Sequence, residues 1–326
     1  MARAGADPSD HVILFVFLTH SSHPSLLSVT QTHPCAHKTH DNKEAFLMKK
    51  WLKLGFSAVV ALSLVVILTA CGTSQASSKS ATDQLSDKTI TVGVTAGPHE
   101  LIMKQVAKLA QKDGLTIKLK QFTDYNSPNV ALNDGDLGAN SYQTLPFLKE
   151  QIKSKNFKIT QVFKTVAFPM GVYSKKIKDL KALKKGDSIA VPNDPSNELR
   201  ALQLFEAAGV IKLKAGISQK ATKADVVSNP LGLKIEELEA SQLPTHLQDV
   251  TAAAINTNFA FDAGLTINQD AIYHEKTTNN PYPNYFVVQT KHRNDKVIKQ
   301  IKKYYQSQTI KDYIAKKFKG SIVPAF

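Results

Sequence analysis

From residue 88 onward the apolar residues change their period twice within thirty-five positions, and that change restricts the fold more than any other feature. In KTITVGVT (88–95), Ile90, Val92 and Val94 alternate as in a strand. A turn with Gly97 and Pro98 follows. HELIMKQVAKLAQKDG (99–114) then sets Ile102, Val106, Leu109 and Ala110 at helical spacing, and Gly114 ends the helix. LTIKLKQF (115–122) alternates again. A β-α-β succession at such short spacing predicts an α/β sheet.

The same logic recurs in KKGDSIAVPNDPSNELRALQLFEAAGV (184–210). Ser188 to Val191 read as a short strand, Asp194 as an N-cap and Pro195 as the first helical residue. Leu199, Leu202 and Phe205 stripe the helix and Gly209 closes it. LGLKIEELEASQL (231–243) predicts a strand and a short helix, and TAAAINTNFA (251–260) another buried strand. The final DKVIKQIKKYYQSQTIKDYIAKKFKG (295–320) is one long amphipathic helix or two, with Ile298, Ile301, Tyr305, Ile310 and Ile314 as core residues.

Upstream, MKKWLKLGFSAVVALSLVVILTAC (48–71) has a lysine-rich start and an apolar run from Leu54 to Leu68. Fifteen helical residues span roughly 22 Å, short of the roughly 30 Å hydrocarbon core, so a signal peptide fits better than a stable span. Leu68, Thr69, Ala70 and Cys71 match a bacterial lipobox. That match implies cleavage before Cys71 and a lipid on its sulfur, since a thiol is the one good nucleophile there. Residues 48–70 are then the lipoprotein signal peptide, and 71–87, rich in Ser, Thr and Ala, a tether. Residues 1–47 are expected to be a dispensable or untranslated extension. His33, Cys35, His37 and His40 lie there, but their spacing matches no established zinc pattern, and no metal or cofactor is expected.

The formal net charge is +14. Residues 71–326 hold 35 Lys and Arg against 23 Asp and Glu, so the basicity belongs to the body. Only Arg200 and Arg293 are arginines there. Dispersed lysine is a solvated face rather than a base-reading surface, which argues against nucleic acid. The body has no cysteine, hence no disulfide or thiol nucleophile. It has no GxSxG, HExxH, P-loop or GxGxxG, and NDGD (133–136) is a turn rather than a calcium loop. No enzyme activity is expected.

The polar stretches FTDYNSPN (122–129), ANSYQTLPFL (139–148), VPNDPSNELRAL (191–202) and INTNFA (255–260), together with FPMGVYSKKIK and SIAVPNDPSN, resemble the NlpA family of methionine-binding lipoproteins. The resemblance runs from the lipobox to the C-terminus. It implies a type II periplasmic-binding-protein fold, two α/β lobes with a ligand cleft between them. Residues 88–168 and 260–326 would form one lobe and 169–259 the other. It also implies an extracytoplasmic, lipid-anchored monomer serving an ABC permease and its ATPase.

Chemistry suggests how a free amino acid would be held. Arg200 can offer a planar fork to a carboxylate, near a helix N-terminus that favours anions. Asn197, Asn256 and Asn258 donate and accept at once, as a zwitterion requires. Tyr125 and Tyr142 can wall an apolar or thioether side chain. The family segment usually runs Asn, aromatic, aromatic, Gln, His, x, Pro, Tyr. Here Ser141 replaces an aromatic and Thr144 the ligand-contacting histidine, which implies a roomier pocket. Methionine is the first expectation. Another apolar amino acid, a short peptide, or a basic surface adhesion role are the alternatives.

Overall fold

The computed structural model describes residues 84–218 and 220–326. The signal peptide, Cys71 and the histidine-rich stretch lie outside them. Among the described residues no helix is long and apolar enough to cross a membrane.

The first β-α-β unit forms where the periodicity predicts it: β1 (Thr89–Thr95), α1 (Pro98–Lys112) and β2 (Thr116–Phe122). Gly97 turns the chain between β1 and α1 at φ 78°, a left-handed backbone natural to glycine. The chain continues through α2 (Ser127–Asp134), β3 (Ala139–Thr144), α3 (Leu145–Lys155) and β4 (Ile159–Ala167). It then leaves for a second sheet made of β5 (Gly171–Tyr173), β6 (Ser188–Pro192), β9 (Lys234–Leu238), β10 (Ala252–Ile255) and β11 (Ala271–His274). Within this excursion lie α4 (Pro195–Ala207), the small hairpin of β7 (Lys212–Leu213) and β8 (Val226–Ser228), α5 (Leu243–His246), α6 (Thr257–Asp262) and α7 (Ile267–Asp270). The chain returns as β12 (Pro283–Gln289), α8 (Lys296–Tyr305), α9 (Gln308–Phe318) and β13 (Val323–Pro324).

The first sheet has the order β13-β4-β12-β3-β1-β2, with β2, β1 and β3 parallel and β12 antiparallel to both β3 and β4. The second has the order β11-β5-β10-β6-β9, with β9, β6 and β10 parallel. Each sheet has its own core. Val92, Val94, Ile102 and Val106 pack with Ile298, Ile301, Tyr305, Ile310 and Ile314 in the first lobe. Ile189, Val191, Leu199, Leu202 and Phe205 fill the second. This is the two-lobed α/β architecture of a type II periplasmic-binding protein.

One expectation is corrected. Residues 271–274 were expected in the first lobe, but β11 pairs antiparallel with β5 and completes the second sheet. The crossings are therefore 168–170 and 275–282, and the return comes after residue 274 rather than at 260. Of the one or two helices expected at the C-terminus, two form, because Ser307 caps a new one through a bond from the Ile310 amide.

Candidate functional site

The parallel strands of both lobes end at one cleft. Thr144 ends β3, Pro192 ends β6, Ile255 ends β10, and the loop after β2 carries Tyr125. In open α/β sheets the ligand crevice lies outside these carboxyl ends. Tyr125, Tyr142, Thr144, Asn197, Arg200, Asn256 and Asn258 all line this cleft, joined by Gln143, Phe147, Phe168, Thr257 and Asn284. Counted up to its opening to solvent, the space is about 350 Å³.

One wall is a run of amides whose orientation is set from one end. Asp194 caps α4, its carboxylate accepting from the Asn197 amide at 3.0 Å and from Asn197 Nδ2 at 2.9 Å. Burial raises the Asp194 pKa, against the hydrogen bonds from Asn197 and Ser196 that favour the anion. A carboxylate only accepts, so Asn197 must turn its Nδ2 toward Asp194 and its Oδ1 away. That oxygen accepts from Asn256 Nδ2 at 2.9 Å. Asn256 Oδ1 is thereby left buried with no partner in the protein. Asn258 shows the complement: its Oδ1 accepts from the Tyr125 hydroxyl, and its buried Nδ2 has no partner. An unpaired acceptor and an unpaired donor thus sit two residues apart in the cleft wall. Buried polar groups are rarely left so without a reason.

The opposite wall is aromatic. Tyr125 lies 5.9 Å from Tyr142, 5.7 Å from Phe147 and 4.7 Å from Phe259, centroid to centroid. The Tyr142 hydroxyl donates to the Tyr125 carbonyl at 2.9 Å and the Tyr125 hydroxyl to Asn258, so both tyrosines line the site with their hydroxyls engaged. Burial raises both phenol pKa values, and the rings stay neutral. Against the lining residues Phe168 and Asn284, His99 has its Nδ1 2.8 Å from Thr95 Oγ1 and its Nε2 3.4 Å from Asn284 Oδ1. Burial lowers the His99 pKa to about 3, so the ring is neutral and donates only one of these bonds.

Arg200 is 5 % exposed, and its fork is already engaged. Its Nε donates to Glu275 Oε1 and its Nη2 to Glu275 Oε2, each at 2.7 Å; Nη2 also reaches the Phe168 carbonyl at 2.6 Å. The Tyr282 ring lies 4.2 Å from Cζ. The expectation of an open bidentate fork is therefore corrected. Glu275 holds that edge, and Nη1 is the nitrogen these contacts leave unused. Glu275 Oε2 also accepts from the Met170 amide and Asn280 Nδ2, both at 2.9 Å. Burial would raise the Glu275 pKa, but the charge and hydrogen bonds of Arg200 hold it below its usual value. Phe168 and Met170 belong to the first crossing, and Glu275, Asn280 and Tyr282 to the second. One guanidinium thus faces the cleft and ties both crossings.

The two departures from the family segment differ in weight. Thr144 is half-buried on the cleft rim. Ser141 is 1 % exposed and sits beside the Tyr305 hydroxyl in the first lobe's core, away from the cleft. It adds no room to the site, and any room gained by the loss of an imidazole belongs to Thr144. Sequence reading missed Gln143, Phe147, Phe168, Thr257, Asn284 and Glu275. The first four stand inside stretches already singled out, whereas Asn284 and Glu275 carry no local signal.

Comparison with known proteins follows from this geometry. The NlpA lipoprotein family model matches residues 90–326. Among relatives, "D-methionine-binding lipoprotein MetQ" of Salmonella typhi is 40% identical over 271 residues, 82% of this chain and 96% of that protein. "Outer membrane lipoprotein 3" of Mannheimia haemolytica is 42% identical over 233 residues, 71% of this chain and 88% of that one. Among solved structures, a nutrient binding protein from Burkholderia cenocepacia bound to methionine is 48% identical, with TM-score 0.71, covering 73% of this chain and 100% of that one. The crystal structure of the methionine binding protein MetQ gives 39% identity and TM-score 0.72, covering 74% and 99%. Matched over most of its length in both sequence and structure, the chain belongs to the NlpA lipoprotein family.

Proposed function

We propose that this protein is a solute receptor that takes one α-amino acid, methionine, into the interlobe cleft and hands it to an ABC permease and its ATPase. The observation that carries the reading is the pairing of an unsatisfied acceptor, Asn256 Oδ1, with an unsatisfied donor, Asn258 Nδ2, beside Arg200. An ammonium and a carboxylate on one carbon supply the missing partners of both. Tyr125, Tyr142 and Phe147 then receive an apolar side chain, and sulfur gains from aromatic contact. The names of the relatives and the methionine complex of the Burkholderia protein support the same ligand. Ser141, packed in the first lobe's core, makes no extra room for a peptide.

The reading assigns no bond-making step to the site: no histidine lines it, and His99, which contacts the lining residues Phe168 and Asn284, is neutral. It makes Cys71 the lipid-bearing N-terminus that keeps the receptor on the outer face of the membrane. Calorimetric titration with L-methionine tests the ligand: a saturable one-to-one isotherm is expected, and absence of heat across the millimolar range contradicts the reading. Membrane fractionation tests the anchor. Cys71→Ser is expected to move the protein from the membrane to the soluble fraction, and unchanged membrane retention removes Cys71 from that role.

A further inference from the structure

A second cavity adjoins the cleft, sharing Tyr125 and Phe147 with it. It measures about 580 Å³ including its mouth. Three carboxylates line it, Glu150 from the first lobe and Asp194 and Glu239 from the second, and no lysine, arginine or histidine does. In a body whose net charge is strongly positive, a cavity with only acidic charges stands apart. Burial raises the Asp194 and Glu239 pKa values, and each is raised further by neighbouring carboxylates, Glu150 acting on Asp194, and Asp194 and Asp124 on Glu239.

The independent observation is Gln151. Its side chain lines the same cavity, is 5 % exposed, and its Oε1 has no partner. The amide orientation is fixed, because Nε2 donates to Glu150 Oε2 at 3.0 Å and a carboxylate cannot donate in return. The buried unsatisfied group in the cavity wall, Gln151 Oε1, is thus an acceptor, as the carboxylates around it are. Among the described residues no three carboxylates, imidazoles or thiolates converge as metal ligands. The acceptors are spread around space that a compact metal ion does not bridge, while an ammonium group on a carbon chain presents three donors and an apolar stem.

We propose that this cavity is a binding site for a primary alkylammonium ion, held by Gln151 Oε1 and by the carboxylates of Glu150, Asp194 and Glu239, with its carbon chain against Tyr125 and Phe147. Because the carboxylates come from both lobes, the cation draws the lobes together. Occupancy therefore favours the closed cleft and strengthens binding of the first ligand, and the first ligand strengthens binding of the cation by the same factor.

The test is calorimetric titration of the full protein, without any amino acid present, using ethylammonium chloride and 1,4-diaminobutane. Tetramethylammonium chloride at matched ionic strength is the control, since it carries charge but no N–H donor. Saturable heat is expected for the two amines and none for the control. In the double variant Glu150→Gln, Glu239→Gln the amine affinity is expected to fall at least tenfold, and in Gln151→Met severalfold. Absence of saturable heat in the wild type overturns the proposal, as does an equal response to tetramethylammonium. Amine binding that is undiminished in both variants also overturns it. Since no amino acid is present, these outcomes are independent of whether methionine is the first ligand.

Discussion

Replacing Glu275 with glutamine keeps the shape of the Arg200 partner and removes its charge. The buried guanidinium then loses its counter-ion, a change that costs about 3–5 kcal/mol when one member of a buried pair is removed outright and less for an isostere. The Glu275 pKa is held below its normal value in the folded state, so its stabilisation is present above the unfolded value and is lost as pH falls through the folded one. Glu275→Gln is accordingly expected to melt several degrees below wild type at pH 7, and the gap is expected to close as pH drops below about 4.5. Thermal melts at pH 7, 5 and 3.5 measure it, and a gap constant across that range contradicts the ion-pair account. At this scale the sequence was informative where function and local rules coincide. Asp194, Pro195, Asn197 and Arg200 share one helix start, so capping chemistry located them. Glu275 stands in HEKTTNN, 75 residues from its partner Arg200, and no periodicity ties the two together.

Among the elements, β1 shows what alternation conceals. Ile90, Val92 and Val94 are buried as their spacing predicts, but Gly93 and Thr95 are buried as well, because β1 lies between β2 and β3 with helices on both faces. A Cβ at Gly93 would lie 2.6 Å from Leu137 Cδ1 and 3.1 Å from the Phe122 ring. Both side chains pack where the glycine leaves room. Gly93→Ala is therefore expected to cost about 1–3 kcal/mol through overpacking, read as a lower midpoint in urea at unchanged slope. A midpoint equal to wild type contradicts the tight approach. The strands and helices with several periods of pattern were legible; β5, β11 and α6 were not. Three to six residues hold too few repeats for a period to emerge, and the edge strand β11 is fixed by pairing with β5 rather than by its own pattern. That is why the lobe boundary fell fifteen residues early in the sequence reading.

At the scale of the whole molecule, the ligand cleft, the two crossings and the acidic cavity share residues. Arg200 lines the cleft and binds both crossings, and Tyr125 lines cleft and cavity while its hydroxyl reaches Asn258. Closure is then a population shift toward the state in which these contacts are made together, and a ligand shifts it only by its preference for that state. The two-lobed plan was reached through the resemblance to the NlpA family, while the periodicity by itself gave only the strands and helices of an α/β sheet. The filling of the arginine fork by Glu275 was legible in neither, since it depends on where the second crossing passes. The most direct measurement is calorimetry with L-methionine, its methyl ester and 4-(methylthio)butanoic acid, which remove the negative and the positive end in turn. Saturable binding of L-methionine, with each analogue weaker by at least a hundredfold, is the expected result. Comparable affinity for either analogue would contradict recognition of a zwitterion by Asn256, Asn258 and Arg200.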